Sequence, residues 1–176
     1  MPQFQNAVKV RFAPAVAGDF ASANPRASML AGPNSLVSGA AGVTVGLFAW
    51  AVSTGADIET GENDFYNTVS NVGAGLPSGF VPRTQQALIT AFLGAASNVI
   101  PQGIMVTLMT AGDYWVTNTG ATVVAVGQKV FASNTTGQIQ TAAAGAAVAG
   151  YTETKWYAMS AALTGELFKM SSYPLG

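Results

Sequence analysis

With 176 residues the chain has room for one domain with a real core and not for two of ordinary size. Only 9% of the residues are charged, against about 25% in an average soluble domain, and 7 bases against 8 acids leave a formal net charge of −1. Such a weak field does not support phosphate neutralisation, so nucleic acid is not an expected partner; the lack of Cys and His excludes thiol chemistry, disulfides, the usual zinc sites and Ser-His-Asp or Cys-His catalysis.

A folded monomer of this mass exposes about 8000 Å², which places its charges at about one per 500 Å². Much of this neutral exterior is therefore expected to be covered in the working state, by copies of itself or by another protein. The longest charge-free stretches, residues 27–56 and 84–112, are broken by Pro33, Asn34 and Gly39 and by Asn98, Pro101 and Gly103. No continuous apolar segment spans a bilayer, so a membrane is not an expected partner. The opening residues lack a basic start followed by an apolar run, and a cleaved secretory signal is not expected.

Residues 1–36 read as an extended N-terminal arm. One strand is predicted at residues 7–12, where Lys9 and Arg11 alternate with apolar neighbours up to Phe12; Pro14, Gly18, Pro25, Gly32 and Pro33 then interrupt every further element. Residues 37–176 read as a β-rich domain. Its first strand covers residues 43–51, rich in β-branched and aromatic side chains, with Gly46 suggesting a bulge. The same pattern returns at residues 124–132 around Gly127, suggesting two copies of one strand-bulge-strand corner.

Residues 84–93 are ambiguous: Thr84 is a good helix cap, yet the apolar alternation favours a strand. Further strands are predicted at residues 106–109, 114–116, 130–131, 138–140, 155–159 and 166–170, and the Ala-Gly run at 141–150 is a loop or backbone lying against a neighbour. Turn signals every 8 to 12 residues or so indicate an all-β fold, a small β-barrel or sandwich.

Carboxylate, Lys or Tyr chemistry is what the composition leaves open. Asp57, Glu59, Glu62 and Asp64 are four acids with no base among them. They could hold a hard cation or cleave a glycosidic bond, but their spacing fits neither an EF-hand nor a known catalytic pair, and a solvated acidic loop is the plainer reading. The glycines at 73, 75 and 79 imitate a dinucleotide loop only faintly, because Pro77 intervenes and no βαβ alternation surrounds them. Asn134-Thr135-Thr136 is a formal glycosylation sequon without a secretory context. No catalytic, metal or cofactor site is expected. Arg26 after Pro25 and Arg83 after Pro82 are candidates for bidentate contacts across an interface. Trp50, Trp115 and Trp156 are expected in the core, with ligand stacking as their second role.

Short blocks in order along the chain carry a resemblance: residues 42–50, Gly79-Phe80-Val81-Pro82-Arg83 leading to 86–90, Ile100-Pro101-Gln102-Gly103, Gly112-Asp113-Tyr114-Trp115-Val116, residues 127–132 and residues 165–170. In these the chain resembles the structural cement, or decoration, proteins of tailed-bacteriophage capsids. The resemblance implies a small β-rich protein that binds the outside of the assembled major capsid protein, on the virion surface, and reinforces it without catalysis. It further implies a homo-oligomer, with a trimer placed ahead of a dimer. The residues expected at its interfaces are Lys9, Arg11, Phe12, Arg26 and Arg83, with the arm lying along a neighbour and offering backbone for strand addition. A fibre or receptor- and glycan-binding module is the alternative, and a carboxylate-dependent hydrolase built on residues 57–64 stands third.

Overall fold

The computed structural model describes residues 14–31, 35–53, 66–84 and 97–173. Alternating apolar and polar side chains, cut by turn residues, give thirteen short strands and no helix among the described residues. The strands are β1 (Ala27–Ser28), β2 (Val37–Ser38), β3 (Val43–Thr44), β4 (Phe48–Ser53), β5 (Tyr66–Ser70), β6 (Gly79–Phe80) and β7 (Val99–Ile100). They continue with β8 (Met109–Ala111), β9 (Asp113–Thr117), β10 (Lys129–Ser133), β11 (Ile139–Ala142), β12 (Tyr151–Ala158) and β13 (Leu167–Ser171). They form a six-stranded sheet in the order β1-β8-β6-β4-β5-β2, a five-stranded sheet in the order β11-β10-β12-β13-β9, and the pair β3-β7. None of the sheets closes on itself, so of the two expected architectures the sandwich is the one formed and the barrel is not.

Two cores lie on opposite faces of β4. Phe48 and Trp50 point one way, into an aromatic core with Phe80, Tyr114, Trp156 and Phe168 between the two large sheets. Ring centroids there stand 4.9 Å apart for Phe80 and Tyr114 and 5.6 Å for Tyr114 and Trp156. Ala49 and Ala51 point the other way, into an aliphatic core with Val43, Val69, Ile100 and Leu108 that the β3-β7 pair covers. Buried on both faces from Phe48 to Ala51, β4 carries large side chains on one side and methyl groups on the other.

The turn at residues 134–137 joins the layers. Gly137 accepts from the Phe48 amide at 3.0 Å and Asn134 accepts from the Gly73 amide at 2.9 Å. A Cβ at Gly137, whose φ is +70°, would run into the Phe48 carbonyl oxygen, and one at Gly73 would enter the Trp50 ring. At both places a side chain is excluded and glycine is required.

Several expectations shift by a few residues. Residues 43–51 form two strands joined by a turn at Gly46 (φ +82°), and the matching segment turns at Gly127 (φ +87°) before β10. The paired pattern thus marks a corner rather than a bulge. A third corner stands at Gly165 (φ +82°) before β13, bridged to the second through Val124 and Ala162. The strand expected at 106–109 begins at Met109 and runs to Ala111, and β12 starts at Tyr151, four residues before the predicted point. A register shift opposite Lys129 and Phe131 lets β12 bend; Thr154 fills the gap by donating from Oγ1 to the Val130 carbonyl at 2.7 Å. The predicted strand at 7–12 and, apart from Thr84, the ambiguous element at 84–93 lie outside the described residues.

Candidate functional site

The N-terminal segment covers one edge of each large sheet. The Gly18 amide donates to the Trp115 carbonyl at 2.8 Å, the Trp115 amide to Asp19 at 2.9 Å and the Ala21 amide to Asp113 at 2.9 Å, so residues 18–21 act as an added strand beside β9. Farther on, β1 pairs with β8, and the Met29 amide donates to the Leu108 carbonyl at 2.8 Å. An unpaired edge invites strand addition by other chains. This strap occupies two such edges within its own chain.

One carboxylate anchors the strap. Asp113 Oδ2 accepts from Ser22 Oγ at 2.5 Å and from Asn24 Nδ2 at 2.6 Å. Its Oδ1 is enclosed and lacks an aligned donor, while the nearby Ser171 hydroxyl stabilises the charge. Burial acts to raise the Asp113 pKa, but Ser171, Ser22 and Asn24 together outweigh it and hold the carboxyl below its ordinary value. Beside it the Phe20 ring packs on Tyr114 at 5.4 Å and the Arg26 guanidinium covers Phe20 at 4.0 Å. Burial pushes the Tyr114 phenol up to about 12, with Arg26 opposing and Asp113 and Tyr173 assisting. From the far side Tyr173 donates its hydroxyl to the Pro25 carbonyl at 2.6 Å. A cavity of about 330 Å³ lies where strap and β13 meet, lined by Asn24, Asp113, Lys169 and Tyr173 among others.

The outer face of the five-stranded sheet carries a second arrangement. Alternation sends Trp115, Tyr157, Lys129, Lys155 and Lys169 away from the aromatic core, whose inward neighbours are Val116, Trp156, Val130 and Phe168. Lys169 Nζ lies 5.0 Å from the Trp115 ring centroid and Lys129 Nζ 3.8 Å from that of Tyr157. Lys155 is exposed.

The carboxylates are spent elsewhere. Besides Asp113, Asp19 accepts from the Val16 amide at 2.9 Å, Glu153 from Gly145 at 2.7 Å and Glu166 from Leu163 at 2.9 Å. Among the described residues no Lys or Arg forms an ion pair with an acid, and no three metal-ligating side chains converge. No helix of the described residues is long and apolar enough to cross a membrane.

The candidate interface residues are thus placed unequally. Arg26 is exposed but its guanidinium is stacked on Phe20 of its own strap. Arg83 is half-buried against Gly18 and donates its amide to the Gly18 carbonyl at 2.8 Å, so its backbone holds the strap. Lys9, Arg11 and Phe12, and the acids at 57, 59, 62 and 64, lie outside the described residues. Trp50 and Trp156 are buried as expected, whereas Trp115 faces outward under Lys169. Asp113 and the lysine-aromatic pairs were missed from sequence. The period-two pattern that put Trp115 and Lys169 on strands could have shown that both lie on the outward set, but not that β9 and β13 are neighbours.

Three layers of sheet, a strap along one edge of each large sheet and surface-borne polar groups define a structural β-sandwich protein. The chain belongs to the XM1 gp53 minor capsid protein family, whose model matches residues 4–172. Its fold is similar to that of a chain in the solved capsid of Myoviridae phage XM1, with a TM-score of 0.56 at 17% identity over 96% of each chain. A comparison with curated proteins finds no match. The resemblance to capsid proteins of tailed phages is borne out at the level of a capsid-associated family.

Proposed function

We propose that the protein is an accessory capsid component that docks on the outside of the assembled major capsid lattice of a tailed phage and reinforces the shell without catalysis. The observation that carries this reading is the minor capsid family match over residues 4–172. A reinforcing protein works by linkage: it binds the assembled lattice and not the free subunits, so each bound copy stabilises the shell by RT ln(1 + [L]/Kd), about 2.7 kcal/mol at a hundredfold excess over Kd. Summed over many sites, modest contacts oppose the pressure of packaged DNA.

Because residues 18–29 lie against their own chain, strand addition to a neighbour falls to the segment before Pro14, with Lys9, Arg11 and Phe12. Arg26 and Arg83 then serve by fixing the strap from which that segment departs. Copies associate with one another on the lattice, as trimers ahead of dimers, and neither nucleic acid nor membrane takes part. A glycan-binding fibre module would need open aromatic platforms, yet lysines already cover Trp115 and Tyr157.

The test is to add purified protein to shells lacking it and measure binding and the temperature of shell rupture. Saturable binding with a copy number near that of the major capsid protein, and a raised rupture temperature, is the expected result. Binding in only tens of copies per particle, or none, would reject the proposal. Deleting residues 1–13 should weaken binding while the melting temperature of the free protein holds.

A further inference from the structure

We infer that the outer face of the five-stranded sheet receives the acidic segment of a second copy, residues 57–64 of one protomer docking against Lys129, Lys155 and Lys169 of the next. This deepens the self-association of the reading above and does not depend on binding to a lattice.

The argument starts from where charge is left over. All four described carboxylates are committed to amides or strap side chains of their own chain, and two of them, Asp113 and Glu153, are the acids of this face. The three lysines there have no carboxylate partner among the described residues. Stacking on Trp115 and Tyr157 fixes two of the ammonium groups without neutralising them. The complementary charge is on the same chain: residues 57–64 hold Asp57, Glu59, Glu62 and Asp64 with no base among them.

Connectivity favours a second copy. The acidic segment joins β4 to β5, both in the six-stranded sheet. The aromatic core lies between that sheet and the five-stranded one, whose lysines point outward on the far side. The described strands that flank the segment, ending at Ser53 and starting at Tyr66, therefore lie in one sheet and the lysines on the outward face of the other. A contact of this kind joins unlike surfaces of identical chains, and it closes into a ring when the rotation allows.

The test uses the full chain in solution, without shells, in sedimentation experiments at low and high salt. The wild type should self-associate at low salt and weaken as salt rises. Lys129→Gln/Lys155→Gln/Lys169→Gln and Asp57→Asn/Glu59→Gln/Glu62→Gln/Asp64→Asn should each raise the dissociation constant about tenfold or more. An equimolar mixture of the two variants should form a one-to-one dimer and stop there, since each retains the half the other has lost. Lys129→Arg/Lys155→Arg/Lys169→Arg should associate like the wild type. A wild type monomeric at every concentration, association indifferent to salt or to both variants, or a mixture that fails to pair overturns the proposal. So does a lysine variant that self-associates normally but no longer binds shells, which would assign the face to the lattice and leave the proposed function standing.

Discussion

The aromatic core and the strap are both part of the same chain's fold, yet they are held by opposite means. Between the large sheets, Phe48, Phe80, Tyr114, Trp156 and Phe168 are fully or almost fully buried and the stabilisation comes from side-chain volume. Along the sheet edges, residues 22–28 are exposed and the hold comes from backbone hydrogen bonds, one half-buried ring and the Asp113 carboxylate. The difference teaches that the body should withstand conditions that loosen the strap. Local stability follows the amount of buried apolar contact, not the number of bonds.

The largest expected effect comes from breaking the core. Trp156→Ala removes a ring packed against Phe48, Phe80 and Tyr114 and should cost about 4 kcal/mol in chemical denaturation. Gly137→Ala comes next: it drives a Cβ against the Phe48 carbonyl from a positive φ and should cost about 3 kcal/mol, with both sheets loosening together. A mutant that melts as the wild type does would show that the joint between sheets is slack.

Smaller effects separate the strap from the body. Asp113→Ala should cost about 1 to 2 kcal/mol and speed hydrogen exchange at the Gly18 and Ala21 amides more than at those of β10. Uniform acceleration would mean that strap and body open as one unit. Since the folded pKa of Asp113 is depressed, its stabilisation is present above the unfolded value near 4 and is lost as pH falls through the lower folded one. The acid limb of the stability profile should accordingly flatten in Asp113→Asn. Tyr114 has the opposite sign: its folded pKa of about 12 stands above the ordinary 10, so stability should decline as pH rises from 10 towards 12. Tyr114→Phe should flatten this alkaline limb at a small cost, because the hydroxyl donates to the Ala111 carbonyl at 3.2 Å.

Much of the strand content was legible because its signals are local. Gly46 and Gly127 were flagged by matching patterns and do turn the chain with positive φ. Thr164-Gly165 reads as a turn between the last two strands but not as a third corner, because its flanking residues Thr164 and Glu166 differ from Val126 and Gln128 while the backbone geometry repeats. Trp115 was misplaced for a different reason. Its apolar ring argued for burial, but the strand's parity had already given the inward positions to Tyr114 and Val116. Likewise Asp113 reads as an ordinary turn acid until Ser22 and Asn24, some 90 residues away in sequence, are brought to it.

The amino-acid order alone determined the scarcity of charge, the short alternating strands and the glycine-marked corners, since composition and period-two pattern act over a few residues. Only the tertiary structure decided which edges the strap seals, which tryptophan is left outside and which lysines share a face. Those outcomes depend on strand order, and strand order is set by burial summed across the whole chain.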